Sequence, residues 1–311
     1  MAIGRSLGVM SSQDEVREFL ATRRAKITPQ QAGLASYGRR RVPGLRREEV
    51  AMLAGVSTDY YARLERGNLV GVSDSVLDAI ARALRLDEAE TAHLHDLTRA
   101  ANTAPKAARR QTPPQQRIRP SVQRVLDGMA DVAAIVMNGR LDLLATSTLG
   151  AALYSPVYDD PTRPANLARF CFLDPQASAL YPHWDEAANT TVAMLRTEAG
   201  RHPYDRDLSD LIGELSIRSD TFRTRWANHN VRLHRTGAKV YHHPVVGKLT
   251  LEFEVMDLSA DEGLALTAFT AADAASRDGL TLLASWAATL VADDQRRGVQ
   301  PTSQENTSEP T

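Results

Sequence analysis

Five arginines crowd into the stretch "GRRRVPGLRRE", at Arg39, Arg40, Arg41, Arg46 and Arg47, against few acids. A guanidinium is permanently charged and presents a planar fork of donors, so the chemistry open to such a cluster is the binding of phosphate oxygens. A little further on, Thr58, Asp59 and Arg63 fall on the helical face opposite Tyr61 and Leu64. Those polar side chains suit the edges of bases: arginine forks onto guanine O6 and N7, and a carboxylate accepts from cytosine N4. Asp59 also has a plainer role, since an acid in a first helical turn favours the positive end of the helix dipole.

The second half carries other groups: Cys171, Trp184, Trp226, His229, His234, His242 and His243. A metal enzyme or hydrolase has to be weighed there against a sensor. Adjacent His242 and His243 point to opposite faces of a strand, and no acid stands at the spacing of a zinc-protease helix. No metal site, cofactor or catalytic constellation is expected, so the chain does not read as an enzyme. Cys171, in the apolar run "RFCFL", reads as a core thiol with a raised pKa. A sensor pocket needs apolar walls and a few polar groups. Phe172, Trp184, Trp226, Leu251 and Phe253 are candidate walls, and Arg169, His229 and His243 are candidates to meet a carboxylate. Each has a bland alternative as well, the tryptophans as core and His243, before Pro244, as a strand cap.

The elements that must position these residues follow from periodicity. In "GLRREEVAMLAGVSTDYYARLERG", Val50, Ala51, Leu53 and Ala54 share one helical face, and Tyr61 and Leu64 recur after the break. Gly55 stops the first helix, Ser57 caps the second, and the three- to four-residue corner is a helix-turn-helix signature. Ser12 and Glu15 form a capping box for a helix over 13–25, Ser73 caps another, and 87–101 gives a fifth. Residues 102–120, "NTAPKAARRQTPPQQRIRP", lack periodicity and read as a linker. Asn138-Gly139 between apolar runs predicts a hairpin. Helical segments follow over 147–153, 166–173, 183–198, 207–217 and 220–229. Strand texture returns in "KVYHHPVVGKLTLEFEVMDL" and "LALTAFTA", and a last helix spans 276–291. Strands at both ends with helices between them predict an antiparallel sheet with helices packed on it, an α+β domain.

With 311 residues the chain has room for about two domains. The expected plan is a multidomain protein: an all-α five-helix DNA-binding domain over 12–101, the linker, an α+β domain over 121–292 and a disordered tail over 293–311. One cysteine excludes an intrachain disulfide, and the absence of a long apolar run or signal peptide points to the cytoplasm. Met10 stands just before the first helix, so the first nine residues read as an upstream extension. A net charge of −1 gives no global pull toward nucleic acid, and DNA contact therefore rests on the local arginine patch.

The N-terminal string "GRRRVPGLRREEVAMLAGVSTDYYARLERG" resembles the Cro/repressor-type helix-turn-helix of the MmyB-like regulators, common in actinobacteria. "ARFCFLDPQA", "HWDEAANTTVAMLRTEAG", "FRTRWANHNVR" and "HHPVVGKLTLEFEVMDL" are similar to that family's PAS-like ligand-binding domain. The resemblance implies a homodimeric transcriptional regulator whose partners are double-stranded DNA and a fatty-acid-like small molecule, with no membrane involved. It selects Thr58, Asp59, Ala62 and Arg63 to face base edges, and Arg47 and the Tyr60 hydroxyl to face phosphate. Arg39, Arg40 and Arg41 either hold phosphates, enter a minor groove or remain a solvated loop, and Arg46 is a further DNA-binding candidate of the same basic patch. A regulator whose second domain only dimerises or binds a protein partner is the alternative.

Overall fold

The computed structural model describes residues 12–34, 42, 44–102, 118–228, 230–231 and 234–298. Arg39, Arg40, Arg41 and His229, most of the expected linker and the segment before Ser12 lie outside the described residues.

The first unit contains helices α1 (Ser12–Lys26), α2 (Arg47–Ala54), α3 (Thr58–Glu65), α4 (Asp74–Ala83) and α5 (Glu88–Asn102). Val16, Phe19, Leu20, Val50, Tyr61 and Leu64 are fully buried in one core with Leu77, Ile80 and Leu94. Their spacing along each helix puts them on one face, which is why short helices of modest propensity hold here. Gly55 adopts φ 67°, ψ 30°, the left-handed conformation open to glycine at little cost, and Ser57 Oγ accepts from the Tyr60 N–H at 3.1 Å. Two expectations need correction. Ser12 lies inside α1 rather than at its cap, and the Glu15 carboxylate is drawn away to Arg196 of the second unit. Ser73 makes no cap bond to the α4 backbone; its hydroxyl pairs with that of Ser75 at 3.0 Å.

The second unit begins with α6 (Pro120–Asp127) and is built on β1 (Ala133–Asn138), β2 (Leu143–Thr146), β3 (Thr236–His243), β4 (Gly247–Asp257) and β5 (Leu264–Ala271). The sheet is antiparallel in the order β2-β1-β5-β4-β3, a PAS-like arrangement whose centre joins the first strand to the last. Between β2 and β3 run α7 (Thr148–Leu153), α8 (Ser155–Tyr158), α9 (Leu167–Leu173), α10 (Ala177–Leu180), α11 (Trp184–Arg201), α12 (Arg206–Arg218) and α13 (Asp220–Trp226). Helix α14 (Ala274–Gly298) follows β5. One sheet face packs on α7, α10, α11 and α14; α6 covers part of the other through Val122 and Leu126.

The Asn138-Gly139 hairpin exists, but not as a two-residue turn. Four residues, 139–142, join the strands, and Leu141 rather than Gly139 takes the positive φ of 66°. Asn138 Oδ1 accepts from the N–H groups of Arg140 and Asp142, each at 3.0 Å, so the asparagine caps the loop instead of turning it. The last helix also runs further than its apolar pattern, to Gly298, into the stretch expected to be tail.

Candidate functional site

Two places are candidates for function, and the first is the corner between α2 and α3. Thr58, Asp59 and Arg63 are exposed, Tyr60 and Ala62 are half-buried, and Tyr61 and Leu64 lock α3 into the core. The Arg63 guanidinium lies 4.7 Å from the centroid of the Tyr60 ring, which holds a long side chain near one orientation on the open face. Arg46 and Arg47 are about half exposed at the start of α2. Arg46 sits beside Glu48 at 3.4 Å, and its backbone N–H donates to Glu49 at 2.6 Å. Arg47 donates its Nε to Glu65, whose buried carboxylate also accepts from Arg24 Nε at 2.7 Å. Glu65, unremarked in the sequence, thus fastens α1, α2 and α3 together.

The second place is a cavity of about 320 Å³ between the sheet and α11. Ile135, Met137, Phe253 and Phe269 form its sheet wall; Glu186, Thr190, Thr191 and Met194 approach from α11. Cys171 also reaches it, with its thiol pushed up to about 11 by burial, so it is a protonated, unreactive wall. Lys239 of β3 enters among these groups and was not among the residues singled out from sequence.

Of the residues expected as pocket lining, Phe253 is there, His229 lies outside the described residues, and Phe172, Trp184, Trp226, Leu251, Arg169 and His243 stand elsewhere. Phe172, Trp184 and Trp226 join Phe222 in an aromatic cluster beside the cavity, and the Trp184 N–H donates to the Cys171 carbonyl at 2.9 Å. Leu251 is fully buried core. Arg169 lies in a separate cleft, neutralised by Glu214 at 2.8 Å. His243 is buried, bonded to the Ala152 carbonyl at 3.0 Å through Nε2, while Nδ1 accepts from the Val245 N–H at 3.2 Å. That pattern fixes the neutral tautomer and gives the ring a structural task.

Burial holds the His243 pKa below its ordinary 6.5. The unfolded chain therefore takes up a proton on this ring at a pH where the folded chain does not. Its contribution to stability is complete above about pH 6.5 and is lost as the pH falls below it. Urea unfolding at pH 7.5 and 5.5 should show a larger loss of stability in the wild type than in His243→Gln; equal losses would remove His243 from the acid sensitivity.

The cavity and the helical unit meet through α11. On the side away from the cavity, Arg196 is fully buried; it pairs with Glu15 of α1, donates to the Trp226 carbonyl and lies 4.0 Å from that indole's centroid. Arg201 Nε meets Asp96 of α5 at 3.2 Å. A Cβ at Gly200 would stand 2.6 Å from the His93 ring, so only glycine lets α11 approach α5 this closely.

A helix-turn-helix head with an open polar face on its second helix, joined to a PAS-like domain with a cavity, defines a ligand-responsive, DNA-binding transcriptional regulator. Residues 15–94 match the model of a helix-turn-helix domain, and residues 118–283 match that of the MmyB-like transcription regulator ligand binding domain. The chain belongs to the MmyB-like transcriptional regulators. Both matched families are regulatory. No curated protein matches the chain. Among the described residues no helix is long and apolar enough to cross a membrane, and no cluster of potential metal ligands occurs.

Proposed function

We propose that the protein acts as a homodimer on a palindromic operator, and that an elongated apolar molecule of the fatty-acid type, held in the α11 cavity, changes its affinity for that operator. The observation that carries this reading is the double role of α11. One side lines the cavity through Glu186, Thr190, Thr191 and Met194, and the other grips the head through Arg196, Gly200 and Arg201. A wider recess shares Met137, Leu141, Met194 and His234 with the cavity and ends at Glu198 and Arg201, bringing a long ligand toward the junction. A ligand shifts DNA binding only through unequal affinity for two arrangements of the protein, and a helix touching both sites supplies the physical link.

In this reading Thr58, Asp59, Ala62 and Arg63 face bases, Arg46, Arg47 and Tyr60 face phosphate, and Arg39, Arg40 and Arg41 extend the basic patch. A symmetric dimer presents two reading helices about one helical turn apart, which requires an inverted repeat. The test combines operator selection from random DNA with titration of saturated fatty acids against melting temperature and operator affinity. An inverted-repeat motif, a rise in melting temperature and a shift in operator affinity are expected. Fatty acids that leave both melting and operator affinity unchanged would transfer the case to a domain that only dimerises.

A further inference from the structure

The segment between α13 and β3 belongs to the second unit by sequence, yet it reaches into the head. Val231 is 7% exposed and sits in the head's core cluster with Val16, Phe19 and Leu20, the one member there supplied by the second unit among the described residues. Beside it, Asn230 Oδ1 accepts from Lys26 Nζ at 2.7 Å and from Arg23 Nη1 at 3.5 Å, both in the last turn of α1. Three positions after Val231, the His234 ring stacks on Phe253, with centroids 4.3 Å apart and planes inclined by 25°. Both rings line the cavity. Three residues of extended chain span about 10 Å, so a wall of the cavity and a plug of the head core hang on one short strap. The far end of the strap is held where the Arg235 carbonyl accepts from the Val255 N–H at 2.7 Å, so a push on His234 passes toward Val231 rather than into the sheet.

The turn of α1 that Asn230 holds also meets the start of α2. The Leu45 N–H donates to the Arg24 carbonyl at 3.1 Å, and a Cβ on Gly44 would stand 2.6 Å from Ala25 Cα, so this stretch lies directly on the end of α1 just ahead of Arg46 and Arg47. Arg24 and Arg47 share the Glu65 carboxylate. We propose that the strap, through Asn230, Val231 and His234, carries a change at the cavity to the reading end of the head. This rests on the reading of the cavity as the effector site, and assigns the transmission to the strap rather than to α11 alone. Asn230, Val231 and His234 lie in neither helix nor strand, so they shift without breaking the hydrogen bonds of an element, as α11 cannot. A molecule seated against Phe253 acts on the stacked His234. Val231 then either stays in the head core or leaves it, because a close-packed core switches between arrangements instead of deforming continuously. With Val231 withdrawn, the last turn of α1 loses the Asn230 acceptor as well.

The test uses the full chain with dodecanoic acid as the probe, its affinity read by calorimetry and operator affinity measured with and without it. Saturating probe should change the operator affinity of the wild type by at least about fivefold. Val231→Ala, which removes the branching methyls of the plug, should bind the probe within about twofold of the wild type, while its operator affinity responds by less than about twofold. Asn230→Ala, at an exposed position, should behave in the same way and carries the test alone where Val231→Ala fails to fold. A strap that only fastens the two units together would lower the melting temperature and leave the probe's effect on operator affinity at its wild-type size. That result in a folded variant overturns the transmission through the strap and leaves an effector cavity in place. A wild type that does not bind the probe, or binds it with no change in operator affinity, overturns the effector-site reading and the strap with it.

Discussion

Glu65→Ala should abolish operator binding at temperatures where the second domain is still folded. The carboxylate is 2% exposed and holds Arg24, Arg47 and, through them, three helices. Arg24 also donates to the Leu45 carbonyl at 2.8 Å, so its position is set by two acceptors, of which one would vanish. Removing one partner of a buried pair costs about 3–5 kcal/mol, and the exposure of Arg47 lowers this to about 2–3 kcal/mol here. Small helical domains have about 5–15 kcal/mol in total, so the loss is large. The chain reports the two units separately, because its three tryptophans, Trp184, Trp226 and Trp286, all lie in the second domain. Read in a Trp226→Phe background, since Trp226 carries the Arg196 contact to the head, the fluorescence of Trp184 and Trp286 should stay native while DNA binding disappears on warming. Unchanged operator binding across the melting range would show that the triad does not hold the reading helix.

Arg196→Ala should uncouple the domains. The substitution strands Glu15, whose carboxyl is already raised by burial, and strips the face of Trp226. The cost is about 3–5 kcal/mol, and it falls on the junction rather than on either core. One unfolding transition should become two, and a bound fatty acid should stabilise the second domain without altering operator affinity. The pair Glu15→Leu with Arg196→Met should recover part of the docking, since apolar side chains of similar volume replace buried ion pairs at little cost. A single transition at the wild-type temperature in Arg196→Ala would place the coupling elsewhere.

The α2–α3 corner was legible because its determinants are local: Gly55 and Ser57 act within four residues of themselves. The Asn138-Gly139 turn was half legible. Its length is set by Asp142, which receives a hydrogen bond at 2.8 Å from Asn166, a residue 24 positions away that a dipeptide rule does not contain. Glu15 misled for the same reason, since its partner lies 181 positions on. The cavity walls were the least legible part. Aromatic type does not say which face a ring occupies, so Trp184 and Phe172 looked as suitable as Phe253. Lys239 did leave a signal of its place at the cavity: in "KVYHH" it shares the parity of Tyr241 and His243, the inward side of the strand.

The sheet order has a consequence for the making of the protein. Strand β1 finds its central neighbour only in β5, with Ala133 beside Phe269, so the domain cannot close until nearly the whole chain has left the ribosome. The helices of the head end at Asn102 and rest on nearby contacts, which form quickly and early in synthesis. A nascent chain therefore passes through an interval in which the DNA-reading part is assembled and the listening part is not. Polypeptides cut short before residue 264 would be regulators unable to hear their signal, and rapid proteolysis of such fragments would protect the promoter from them.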